Sequence, residues 1–186
     1  MLLVAFSEES GLAFEEIIDT YEKRVFNLIY RLVGDYDEAA DLTQDTFVAA
    51  YRGYSRFRSE CSVYTWLCRI AINNCKNRFR ERDRRRQYED APFNGDDNLP
   101  AATASDESAP HMAVERKELR ERIEQAIAAL PEDYKIVVVL RDMHAMSYQE
   151  IAEATELSID NVKVRLSRAR AMLRRKLEPY LANPAP

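Results

Sequence analysis

Apolar side chains recur at three- and four-residue spacing along most of this chain, the period of helices that bury one face. Phe14, Ile17, Ile18, Tyr21, Val25, Leu28, Ile29 and Leu32 predict a first helix with Gly34 as its stop. Asp35–Asp37 can open a second, whose apolar side uses Ala39, Ala40, Thr43, Phe47, Ala50, Tyr51 and Tyr54. After a loop near 57–62, a third helix starts around Val63–Thr65 and runs through Trp66, Ile70, Ala71, Asn74 and Phe79 into an arginine-rich end. In the second half, helices are expected over Met112–Leu130 and from Pro131, which suits an opening turn, to about Met143–His144. No stretch alternates with period two for long enough to propose a sheet, so the fold class is all-α.

The composition supports a helical, cored protein. Of 186 residues, 46% are hydrophobic and 32% charged, with 4 Gly and 7 Pro, too few for a flexible linker protein or a loop-rich sandwich. The formal charge of −5 counts at first against nucleic-acid binding. Resolved along the chain it divides into blocks of −8 (1–50), +8 (51–88), −6 (89–113) and +1 (114–186). Three prolines, Pro92, Pro100 and Pro110, fall in the third block. With Asn94, Gly95 and Ser105 they mark an acidic flexible linker over 89–112 between units at 1–88 and 113–186.

The longest apolar runs, Leu2–Phe6 and Ile136–Leu140, are far short of the ~20 residues that span a bilayer, and the first lacks the flanks of a signal peptide. No direct membrane insertion is expected. Three cysteines would leave one unpaired in any disulfide framework, which favours the reducing cytoplasm. Cys61, Cys68 and Cys75 stand seven apart, about 10.5 Å along a helix. That is too far for Cys68 and Cys75 to bridge or share a metal, so buried or half-buried thiols are expected. His111 and His144 show no ligand spacing, and no metal or cofactor is called for. A Walker loop, a nucleophile elbow and a distinguishable carboxylate pair are all missing from the sequence, so an enzyme reading has no support.

Residues 147–177 carry the most specific local pattern. Ser147-Tyr-Gln-Glu150 is a capping box, followed by a short helix with Ile151 buried and Ala152 at a close approach. A turn at Glu156-Leu157 leads to Ser158 as the next N-cap. Glu156 stands where glycine is often found, and a positive φ there would strain it. The next helix sets Ile159, Val162, Leu166, Ala169 and Leu173 on one face, and residues 159–177 hold seven bases and one acid. This is the layout of a helix-turn-helix whose second helix enters the major groove.

The sequence resembles the extracytoplasmic-function (group 4) sigma factors of the sigma-70 family. In the first half the resemblance is carried by Asp41-Leu-Thr-Gln-Asp-Thr-Phe47, Ala50-Tyr-Arg52, Phe57-Arg58, and Tyr64-Thr-Trp-Leu-Cys-Arg-Ile-Ala71 with Asn73. In the second it rests on Leu130-Pro-Glu-Asp133, Leu140-Arg141, Ser147-Tyr-Gln-Glu-Ile-Ala152 and Val162-Lys-Val-Arg-Leu-Ser-Arg-Ala-Arg170. It spans about 14–88 and 114–181. It implies a σ2-like helical bundle and a σ4-like helix-turn-helix domain, joined by a linker that runs through the RNA exit path of the polymerase.

The resemblance also implies partners and sites. Core RNA polymerase, through the clamp helices of its largest subunit, would meet the second helix at Asp41, Gln44, Asp45, Phe47 and Val48. Among these, Asp41, Gln44, Asp45 and Val48 lie at three-and-four spacing on one mostly acidic strip. The −10 element of promoter DNA would be read by Arg58, Ser59, Glu60, Cys61, Ser62 and Tyr64, and then by Arg69, Asn73, Lys76, Asn77 and Arg80 on the third helix. Melted bases need stacking surfaces and cations there. Trp66 is in phase with Ile70 and reads as core. The −35 element falls to Ser158, Asn161, Lys163, Val164, Arg165, Ser167, Arg168 and Arg170. An anti-sigma factor is the further partner that the family implies. The expected function is promoter-specific initiation with −10 melting, catalysis belonging to the polymerase. The rival readings are a stand-alone helix-turn-helix regulator and, third, a helical adaptor.

Overall fold

The computed structural model describes residues 14–88 and 110–181, all helix and short connections, with no strand among them. The acidic segment 89–109 and the run Leu2–Phe6 lie outside the described residues.

In the first unit, α1 (Phe14–Val33) buries Ile17, Val25, Leu28, Ile29 and Leu32 along one stripe. Gly34 ends it at φ 80, a left-handed turn that costs glycine little, and its N–H caps the Tyr30 carbonyl at 2.9 Å. Asp35 then caps α2 (Tyr36–Tyr54) by accepting from the Glu38 N–H at 2.8 Å. α2 buries Ala39, Leu42, Phe47 and Ala50, and the buried hydroxyls of Thr43 and Thr46 donate to carbonyls four residues back.

A loop leads to α3 (Val63–Tyr88), where the Ser62 hydroxyl accepts from the Thr65 N–H at 3.0 Å. Trp66 is 8% exposed and packs on Phe57 with centroids 4.8 Å apart, so it belongs to the core as its phase requires. Glu38, nearly buried, draws Arg78 and Arg82 of α3 onto the start of α2.

The second unit opens with α4 (Pro110–Ala128), which begins within the span expected as linker. A tight corner at Pro131 starts α5 (Glu132–Val138), and the next turn, Val139–Met143, widens into a π-helical turn closed by the His144 N–H on the Val139 carbonyl. Next come α6 (Tyr148–Thr155) and α7 (Ile159–Leu181). Ile136 to Leu140, Ile151, Val162, Leu166 and Ala169 form this unit's core.

The two units pack on each other. α6 lies along α3, and the α5 region meets α1. Buried Tyr64 at the start of α3 stacks on Tyr21 of α1 and lies under the Arg24 guanidinium, 3.9 Å from its ring centroid. Its hydroxyl shares a 2.7 Å hydrogen bond with His144 Nδ1 of the second unit. Arg31 of α1 pairs with Glu124 of α4 at 2.6 Å, and Lys135 Nζ donates to the Leu32 carbonyl at 3.4 Å.

Candidate nucleic-acid and polymerase interface

The helix-turn-helix is built as its sequence predicts. Ser147 Oγ accepts from the Glu150 N–H at 3.2 Å and the Glu150 carboxylate accepts from the Ser147 N–H at 2.8 Å, closing the capping box. These hydrogen bonds hold Glu150 below the usual carboxylate range. Arg141 fixes the approach, donating to the Met146 carbonyl at 2.7 Å and lying over the Tyr148 ring. Glu156 takes the left-handed conformation, φ 58 and ψ 35, so the strain expected of a non-glycine residue in this turn is present. Ser158 Oγ receives the Asn161 N–H at 3.3 Å and starts α7.

On α7 the basic side chains divide into two sets. Arg165 pairs with Asp133 at 2.9 Å, and Arg170 grips both carboxylate oxygens of Asp142 at 2.5 and 3.4 Å. Those two arginines tie α7 to α5 and the π turn. Ser158, Asn161, Val164, Ser167 and Arg168 face outward, with Val164 46% exposed. Lys163 is also outward and pairs with Asp160 of its own helix at 3.3 Å.

In the first unit a cleft of about 460 Å³ opens where α2 ends and α3 begins. Arg56, Phe57, Arg58, Glu60, Cys61, Trp66 and Arg69 are among its lining residues. Ser59 at φ 56 turns the loop sharply beside it. Ser59, Ser62, Asn73, Asn77 and Arg80 are exposed, and Lys76 is half-buried. Tyr64 departs from this set: it is 7% exposed and faces the second unit, because Tyr21, Arg24 and His144 enclose its ring. Burial raises the Cys61 thiol, with Arg69 opposing and Glu153 of α6 adding to the shift. Burial pushes Cys68 and Cys75 up to about 12, so both thiols are inert core groups at neutral pH.

Asp41, Gln44, Asp45 and Val48 form one exposed strip on α2, Val48 being 49% exposed. Phe47 does not share that strip. It is 8% exposed because its phase turns it into the core, where it supports the strip from behind. Sequence reasoning missed His144 with Arg24 and Arg31 near it, and Glu124, which pairs with Arg31. Their roles lie in contacts between helices far apart in the chain, and no local spacing signals them.

Comparison with known proteins follows the same division. The family model of sigma-70 region 2 matches residues 17–85 and that of sigma-70 region 4 matches 120–173. The RNA polymerase sigma-H factor of Pseudomonas aeruginosa is 35% identical over 91% of this chain and 88% of its own. The ECF RNA polymerase sigma-E factor of Haemophilus influenzae is 34% identical over 91% of this chain and 89% of its own. Among solved structures, the sigma factor RpoE in complex with the anti-sigma factor NepR from Bartonella quintana shares the fold at a TM-score of 0.72 and 23% identity, covering 89% of this chain and 96% of that one. CnrH in complex with the cytosolic domain of CnrY gives 0.62 at 24%, covering 91% and 92%. A region 2 and a region 4 in order, together with relatives that align over most of both lengths, place the chain in the sigma-70 family as an extracytoplasmic-function RNA polymerase sigma factor.

Proposed function

We propose a division of labour between three surfaces for the promoter-specific initiation that a sigma factor directs through core RNA polymerase. The acidic strip Asp41, Gln44, Asp45 and Val48 of α2 docks on the basic clamp helices of the largest polymerase subunit. The outward face of α7, chiefly Asn161, Lys163, Val164, Ser167 and Arg168, reads the −35 element in the major groove. The 57–62 loop and the Arg69, Asn73, Lys76, Asn77, Arg80 side of α3 engage the −10 element and hold its separated strand. The units at 1–88 and 113–186 carry these roles, with 89–112 as tether. Catalysis stays with the polymerase, in whose compartment, the cytoplasm, the chain acts.

The cleft on the first unit is the observation that carries this reading. A stand-alone helix-turn-helix regulator needs one DNA surface. This chain has a second, where three arginines and two aromatic residues line a pocket large enough for an unstacked base. No helix among the described residues is long and apolar enough to cross a membrane. The solved structure of RpoE held by the anti-sigma factor NepR supports an anti-sigma partner here too.

The test is run-off transcription with purified core polymerase on fragments of the source genome. Defined transcripts that need this chain are expected. Failure to bind core polymerase, under conditions where another sigma factor does, would sink the reading.

A further inference from the structure

The outward face of α7 has an apolar side chain at its centre. Val164 is 46% exposed and, by helical period, lies opposite the face that buries Val162, Leu166 and Ala169. Its neighbours on that side, Asp160, Asn161, Ser167 and Arg168, are polar and exposed. Two other exposed apolar residues of α7 are engaged by the protein itself. Met172 borders a groove with Leu130 and Pro131, and Tyr180 carries the Arg122 guanidinium 4.2 Å from its ring centroid. Helix formation does not call for valine at 164, since its branched side chain favours a helix less than alanine, lysine or arginine does. Asp133 draws Arg165 and Asp142 draws Arg170 toward the rest of the unit. What faces outward is therefore a row of three along the helix: Asn161, then Val164 one turn on, then Arg168 after one more.

An apolar side chain on a base-reading surface selects by what it cannot do. Valine has neither donor nor acceptor. Set over guanine, adenine or cytosine, it would strip water from N7, O6, N6 or N4 and replace no hydrogen bond. Thymine alone presents a carbon group to the major groove, its C5 methyl. The amide of Asn161 adds to the preference, because it matches the paired donor and acceptor on an adenine edge.

We infer that Val164 is a specificity-determining residue: its side chain packs on the C5 methyl of one thymine and so demands an A·T pair, in one orientation, at that step of the −35 element. The inference rests on the assignment of α7 to the −35 element and adds the chemical group that this residue reads.

Deoxyuridine tests it, since it lacks the methyl and keeps the pairing. In a promoter fragment found by run-off, each thymine of the −35 element is replaced in turn, on both strands. Holoenzymes of the wild-type and Val164→Ala chains are then compared on these fragments by competition anisotropy. For the wild type, the change at one thymine should weaken binding about fourfold, the worth of one buried methylene-sized group. Val164→Ala should lose most of its sensitivity at that thymine and respond as the wild type does at the others. Because the side chain is exposed, its unfolding midpoint should match that of the wild type. A wild-type holoenzyme indifferent to deoxyuridine at every position would overturn the inference. So would a Val164→Ala holoenzyme that keeps the full fourfold loss, or a −35 element with no A·T pair. If scrambling the whole −35 element leaves wild-type binding unchanged, the assignment of α7 itself has failed.

Discussion

Two arginines two residues apart on α7 have different roles. Arg168 is exposed and pairs with no carboxylate among the described residues, whereas Arg170 is held by both oxygens of Asp142. Arg168→Ala should therefore weaken binding of a −35 duplex by about tenfold while leaving thermal stability unchanged. Arg170→Ala should lower unfolding free energy by up to ~1 kcal/mol, the range of an exposed ion pair, with a smaller effect on DNA. Duplex anisotropy and urea unfolding of both variants separate the roles, and equal losses of affinity would remove the distinction. The sequence made legible that both arginines lie on the polar side of α7, because helical period sets the face. It could not show that Asp142, 28 residues away, occupies one of them. That pairing depends on how the π turn sits against α7.

At the scale of elements, α2 presents one face to the core and another to solvent, and neighbouring residues divide between them. The sequence pattern placed the exposed strip correctly, and the Glu156 turn and the capping box were legible in full, since their chemistry is local. Phe47 was the exception, grouped with a binding surface although its phase buries it. Phe47→Ala should destabilise the first unit by roughly 3–5 kcal/mol, the cost of emptying a buried aromatic site. Asp45→Arg touches nothing in the core and should leave the unfolding midpoint in place. It should nonetheless reduce affinity for core polymerase, measured by competition with another sigma factor, and spare −35 binding. An intact holoenzyme with Asp45→Arg would move the polymerase contact off this strip.

The least legible feature at the scale of the whole molecule is the contact between units, made by residues as far apart as Leu32 and Lys135, 103 positions along the chain. His144 belongs to it, and its chemistry makes closure depend on pH. Burial, with Arg24 and Arg31 nearby, lowers its pKa from 6.5 to about 4. Protonation need not break the bond to Tyr64, whose hydroxyl can turn from donor to acceptor. The cost comes from placing a third positive charge, poorly hydrated, beside two guanidiniums. Between pH 4 and 6.5 the open chain binds a proton that the closed chain refuses. Closure is therefore fully favoured above 6.5 and loses strength as the pH falls toward 4. Moving from pH 7.5 to 5.5 should shift the closing equilibrium toward the open form by about tenfold, seen as expansion in solution scattering. Glu132 is a second titratable group facing the first unit, and burial and Asp83 raise its carboxyl. His144→Asn removes the imidazole and keeps a polar side chain, so it isolates the histidine. This variant should expand little between the two pH values, and an undiminished response would assign the pH dependence to the carboxylates instead.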